Sequence, residues 1–152
     1  MIQRIQTIFL LLTAILMGAT VLCPLLEISG EGVKVVSSFD SFGIFSSATE
    51  YPTWGVLTFA IIGTVLPLIN IFFYKKRKLQ ISIAIITALI IAIYYVTALT
   101  YLSAFLDKIN DSYALNLQFG IILPVVALVF DLLAINRIKK DERLIKSLDR
   151  IR

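Results

Sequence analysis

Residues 79–102 form a continuous apolar run with one amide, a few hydroxyls and no charge, following directly on Lys75, Lys76, Arg77 and Lys78. About 20 apolar residues at a rise of 1.5 Å cross a hydrocarbon core of roughly 30 Å. A soluble chain of 152 residues has no interior large enough to hide such a run. It is therefore expected to be a transmembrane helix, with the cation cluster marking its cytoplasmic end.

The remainder of the chain agrees with this reading. It is 59% hydrophobic and 16% charged, with a mean hydropathy of +0.92, where a soluble domain carries about 25% charged residues. The expectation is one integral membrane domain over 1–152. The apolar runs are long and unbroken, unlike the ~10-residue alternating stretches of an outer-membrane barrel, so the fold class is an all-α four-helix transmembrane bundle. Histidine is absent and Cys23 is the single cysteine. Those two facts exclude an intrachain disulfide, a Cys/His zinc site and a Ser/His or Cys/His nucleophile. No catalytic residue, metal or cofactor is expected, and the chain does not read as an enzyme.

The four spans are placed at 5–26, 53–74, 79–102 and 115–136. Leu22 before Cys23 is too large for a lipoprotein processing site and no A-x-A follows, so the first run reads as a retained helix. Residues 27–52 form an outer loop, in which Leu26-Glu27-Ile28 and Val33-Lys34-Val35-Val36 flank a Gly-containing turn and suggest a β-hairpin. Residues 37–49 would form a lid over the bundle. Residues 137–152 form a charged tail. Of the fourteen cationic residues, all but Lys34 and Lys108 fall on one side of the spans. The cation bias then places both termini in the cytoplasm (N-in, C-in) and the 27–52 loop outside.

Each span carries one stripe of small or polar residues. On the fourth it is Gly120, Pro124, Ala127, Asp131 and Ala134, spaced 4, 3, 4, 3, which puts all five on one face. The second has Gly63, Pro67 and Asn70; the first Gln6, Thr13 and Thr20; the third Gln80, Ala84, Thr87, Tyr94, Ala98 and Tyr101. Small residues let membrane helices approach closely, so these faces should meet. Tyr94 and Tyr95 lie too deep for an interfacial belt, and at least one hydroxyl should bond across the bundle.

Asp131 is the one charged residue placed inside a span. Such a group is a functional candidate by default, yet it lies only six residues before Arg137. A structural reading makes it part of an intramembrane polar cluster with Asn70 and Arg4, accepting from the first and pairing with the second or a neighbouring cation. A sharper reading makes it a proton or cation site. The tail repeats Ile138, Leu144, Ile145, Leu148 and Ile151 at helical spacing among its cations, as a basic amphipathic helix does. Lys139, Lys140, Arg143, Lys146, Arg150 and Arg152 are its candidate contacts to anionic lipid or to a protein partner. Nothing in it carries a nucleic-acid motif.

The start Met1-Ile2-Gln3-Arg4-Ile5-Gln6-Thr7-Ile8 and the end Lys139-Lys140-Asp141-Glu142, Lys146-Ser147 and Asp149-Arg150-Ile151-Arg152 resemble an uncharacterised family of small four-helix membrane proteins of Bacteroidota. That resemblance implies an inner-membrane location and four spans, and supplies no activity. The leading functional expectation is a non-enzymatic accessory or scaffold subunit of an inner-membrane complex. Its partners would be the bilayer and a membrane or cytoplasmic protein, met through the basic C-terminal helix and the outer loop. The alternative is a small oligomeric transporter or channel using Asp131 and Asn70.

Overall fold

A computed structural model describes residues 3–30, 37–45, 50–74, 76–107 and 113–149. Four helices, α1 (Gln3–Leu22), α2 (Trp54–Phe72), α3 (Arg77–Leu106) and α4 (Leu123–Asp149), pack as a ring in which each touches its two sequence neighbours and α1 closes on α4. All four are long and apolar enough to cross a membrane. Their outward faces carry Ile61, Val65, Leu89, Val96, Leu99, Val125 and Val129 exposed, a greasy perimeter that water would not tolerate as a continuous band.

The inward faces are the stripes read from the sequence. Gln6, Thr13 and Thr20 of α1 are buried, as are Gly63, Pro67 and Asn70 of α2 and Gln80, Ala84, Thr87, Tyr94 and Ala98 of α3. Gly120, Pro124, Ala127, Asp131 and Ala134 are buried on the fourth segment. Tyr101 is half-buried.

Five strands cap the bundle at the end away from the α2–α3 link. They are β1 (Leu26–Gly30), β2 (Ser37–Phe39), β3 (Gly43–Phe45), β4 (Glu50–Pro52) and β5 (Tyr113–Leu117), antiparallel in the order β4-β3-β2-β1-β5. The inner face buries Leu26, Ile28, Phe39 and Ile44 against Val56, Ala60, Tyr94, Ala98 and Phe105. The sheet therefore shares one core with the helices.

Several expected boundaries move, each for a local reason. The first helix ends at Leu22, short of residue 26. Pro24 has no N–H to continue it and biases Cys23 away from helical geometry. Leu25 instead donates to the Phe39 carbonyl at 2.8 Å. The second helix ends at Phe72 rather than 74, while the third extends from Arg77 to Leu106 beyond the expected 79–102.

The expected two-stretch hairpin gives way to a broader sheet in which β1 pairs with Ser37–Phe39 and with β5. Val33, Lys34, Val35 and Val36 lie outside the described residues. The fourth helix does not start at 115. Tyr113–Leu117 is drawn into the sheet because β1 offers an unpaired edge. A 3-10 turn, Phe119–Ile121, follows, and Pro124 falls in the first turn of α4, where its missing N–H costs nothing. Nor does that helix stop at 136. The tail holds strong helix formers and no Gly or Pro, so α4 runs unbroken for 27 residues, about 40 Å.

The turn between β2 and β3 plugs the mouth of the bundle. Pro24 leaves the Thr20 carbonyl without its helical donor, and the Ser41 hydroxyl reaches it at 3.4 Å. Ser41 also lies 3.4 Å from the Tyr94 hydroxyl, while Thr53 donates to the Ser41 carbonyl at 3.2 Å. Tyr95 donates to the Ile121 carbonyl at 2.5 Å. Tyr95 thus bonds across the bundle, as expected of at least one deep tyrosine, while Tyr94 bonds to the turn that plugs its mouth. Burial pushes the Asp40 carboxyl in this turn above its ordinary value.

Candidate functional site

Polar side chains are concentrated in the lower half of the bundle, toward the chain termini. A reference level above them is set by Met17, Ile91 and Ala127, which form one apolar cluster. Gly63 completes it from α2, where a Cβ would lie 2.8 Å from the Met17 Cε. That contact is with the tip of a flexible side chain, which can move aside. Gly63→Ala is expected to cost less than about 1 kcal/mol, checked by thermal melting in detergent.

One helical turn toward the termini, each chain position shifts by four residues, about 6 Å. That turn brings Thr13, Pro67, Thr87 and Asp131 to a common level, and all four are buried. The hydroxyls spend their protons locally: Thr13 donates to Phe9 at 3.0 Å, with Ala127 at 3.4 Å, and Thr87 donates to Ile83 at 3.0 Å. Pro67 brings no N–H, so the Gly63 carbonyl four residues earlier loses its helical donor. Asp131 is 0% exposed, and among the described residues neither of its carboxylate oxygens has a hydrogen-bond partner.

Asn70 follows Pro67 by less than a turn. Its amide nitrogen donates to the Gln80 carbonyl at 3.1 Å, and the Gln80 amide returns a 3.5 Å bond to the Asn70 carbonyl. This exchange knits the end of α2 to the start of α3. The bond expected from Asn70 to Asp131 is not made, because the amide is committed to α3. The Asn70 Oδ1 is left buried and without a partner among the described residues. The Arg4 side chain lies outside the described residues.

The second candidate surface is the extension of α4. Lys139, Lys140 and Arg143 are exposed on it. The side chain of Lys146, and Arg150 and Arg152 entirely, lie outside the described residues. On the opposite side Ile138 is 0% exposed, and the Gln6 amide donates to the Asp141 carboxylate, both residues being buried. Asp141 escaped the sequence reading although a signal was present. The 4, 3, 4, 3 stripe of Gly120 to Ala134 continues through Ile138 and Asp141, past the point where apolar residues end.

A sequence profile, DUF4293, described as a domain of unknown function, matches residues 2–151. The chain is a member of the DUF4293 family. No curated protein matches it. The match covers nearly the whole chain, so the four helices, the sheet and the extended α4 all belong to the DUF4293 domain. Among the described residues, no three His, Cys, Asp or Glu side chains of this DUF4293 protein gather as a multidentate metal site would require. Its chemistry is concentrated in one acceptor-rich level inside the bundle and one cationic face outside it.

Proposed function

We propose that the protein is a non-enzymatic accessory or scaffold subunit of a bacterial inner membrane, with four spans, both termini cytoplasmic and the sheet outside. The cation distribution supports the orientation, and the resemblance to proteins of Bacteroidota supports the source. The observation that carries the reading is the continuity of α4. The helix leaves the apolar span without a break and is tied back to α1 through Gln6 and Asp141. It holds Lys139, Lys140 and Arg143 on a stiff projecting face. A segment meant only to rest on lipid gains nothing from such rigidity, whereas a docking strut loses less entropy on binding when it is already ordered.

The test is purification of the full chain in mild detergent at native expression, beside a variant carrying Lys139→Glu, Lys140→Glu and Arg143→Glu. A stoichiometric protein partner is expected with the first and is lost from the second while the melting temperature is unchanged. A clean monomer in both preparations would refute the reading.

A further inference from the structure

Among the described residues, the level containing Asp131 offers oxygen acceptors and no free donor. Asp131 contributes two unpartnered carboxylate oxygens and Asn70 contributes its unpartnered Oδ1. Thr13 and Thr87 have turned their protons to their own helices, which leaves lone pairs on their hydroxyl oxygens. Gly63 adds a carbonyl released by Pro67. Nothing basic can answer them from the apolar spans. Residues 5–22, 54–72 and 79–106 contain no charged residue, and Asp131 is the only one in 123–136. The nearest charged side chain farther along the buried stripe of α4, Asp141, is engaged by Gln6. At the start of α3, Lys78 is exposed and nine residues from Thr87, about 13 Å along a helix.

A buried carboxylate with no donor among the described residues is a costly arrangement, and in a span it points to a ligand that enters from outside. We infer that Asp131, Asn70, Thr13, Thr87 and the Gly63 carbonyl form a binding site for a single monovalent alkali cation, for which sodium is the probe. Hard cations take oxygen ligands, and oxygens are all this level supplies. A single negative charge selects a monovalent ion, since a divalent one would leave an uncompensated positive charge in hydrocarbon. A proton alone would answer one acceptor and leave the others bare. The Cα–Cβ bonds of α2 and α4 tilt toward their N-termini. Asn70 is thereby inclined toward the level of Thr13, Thr87 and Asp131, and Asp131 toward the Gly63 carbonyl one turn above. This inference is independent of any docking partner, because none of these buried residues belongs to the exposed face of Lys139, Lys140 and Arg143.

The test uses the full chain purified in detergent, melted in sodium chloride and in choline chloride at equal ionic strength. A ligand that binds only the folded state raises its melting temperature. Sodium should raise it by about 4 °C or more at concentrations well above saturation. Asp131→Asn should abolish the shift, and Thr87→Val, which keeps the side-chain volume, should at least halve it. A second readout is carbodiimide modification of Asp131, which requires the protonated carboxyl and so should slow at least fivefold in sodium at constant pH. Equal melting in the two salts would overturn the site, as would a sodium shift of undiminished size in Asp131→Asn. Modification at equal rates in the two salts would do the same, leaving Asp131 a buried acid and nothing more.

Discussion

Gly120→Ala should destabilise the protein by about 3 kcal/mol or more, lowering the melting temperature in detergent by on the order of 10 °C. A Cβ at this position would lie 2.3 Å from the Pro24 carbonyl oxygen, 2.8 Å from its carbon and 2.9 Å from the Cys23 oxygen. These are backbone atoms, so no side chain can swing out of the way. The Gly120 N–H also donates to the Pro24 carbonyl at 3.1 Å, and the added methyl would pull that bond apart. Where Gly63 meets the tip of a methionine, Gly120 meets the main chain of the segment linking α1 to the sheet. The two glycines look alike in the sequence, each four residues before a proline, and should differ severalfold in their response to one methyl group. Equal melting of the two alanine variants would contradict the packing described for the α1–α4 junction.

Phe39→Ala should cost about 3–4 kcal/mol, within the range for deleting a buried aromatic ring. Phe39 is 1% exposed and lies in the cluster joining the sheet to the top of the helices. Phe42, three residues on, is 52% exposed, and its replacement by Ala should shift stability by less than about 0.5 kcal/mol. The pair distinguishes a sheet that shares the helical core from a lid that merely lies across it. Melting curves in which Phe39→Ala and Phe42→Ala coincide would establish the second arrangement.

The helical part of this architecture was legible because hydrocarbon imposes one length and one period. The apolar runs gave four helices, and the small-and-polar stripes identified the buried face of each. The stripe survives even where the residues on it are polar. Gln6, Thr13, Asn70, Gln80 and Asp131 would be surface residues in a soluble helix, yet all are buried here. The sheet was legible only in fragments. Its strands are three to five residues long, too short for a period of two to stand out. The pairing of β1 with β5 joins residues nearly ninety positions apart, which no local pattern announces. Leu115 and Leu117 looked like the beginning of a span because apolar content alone cannot tell a strand from a helix over so few residues.

At the site, Asp131 was conspicuous as a lone charge in a span. Its isolation from Asn70 was not, because the competing bond from Asn70 to Gln80 depends on how the α2–α3 link turns. Asp141 was overlooked for a different reason. It lies beyond the apolar run, where hydropathy no longer marks a span although the stripe and the helix both continue.

The closure of the helix ring has a consequence for how the molecule can come apart. In an open row of helices the outermost member is held on one flank and can peel away first. Here α1 and α4 are held on both flanks, and the strands beside them are zipped to each other through β1 and β5. Detaching either terminal helix means breaking two interfaces and prising open a strand pair in the same event, so partial opening has no inexpensive starting point and unfolding should proceed as one cooperative step.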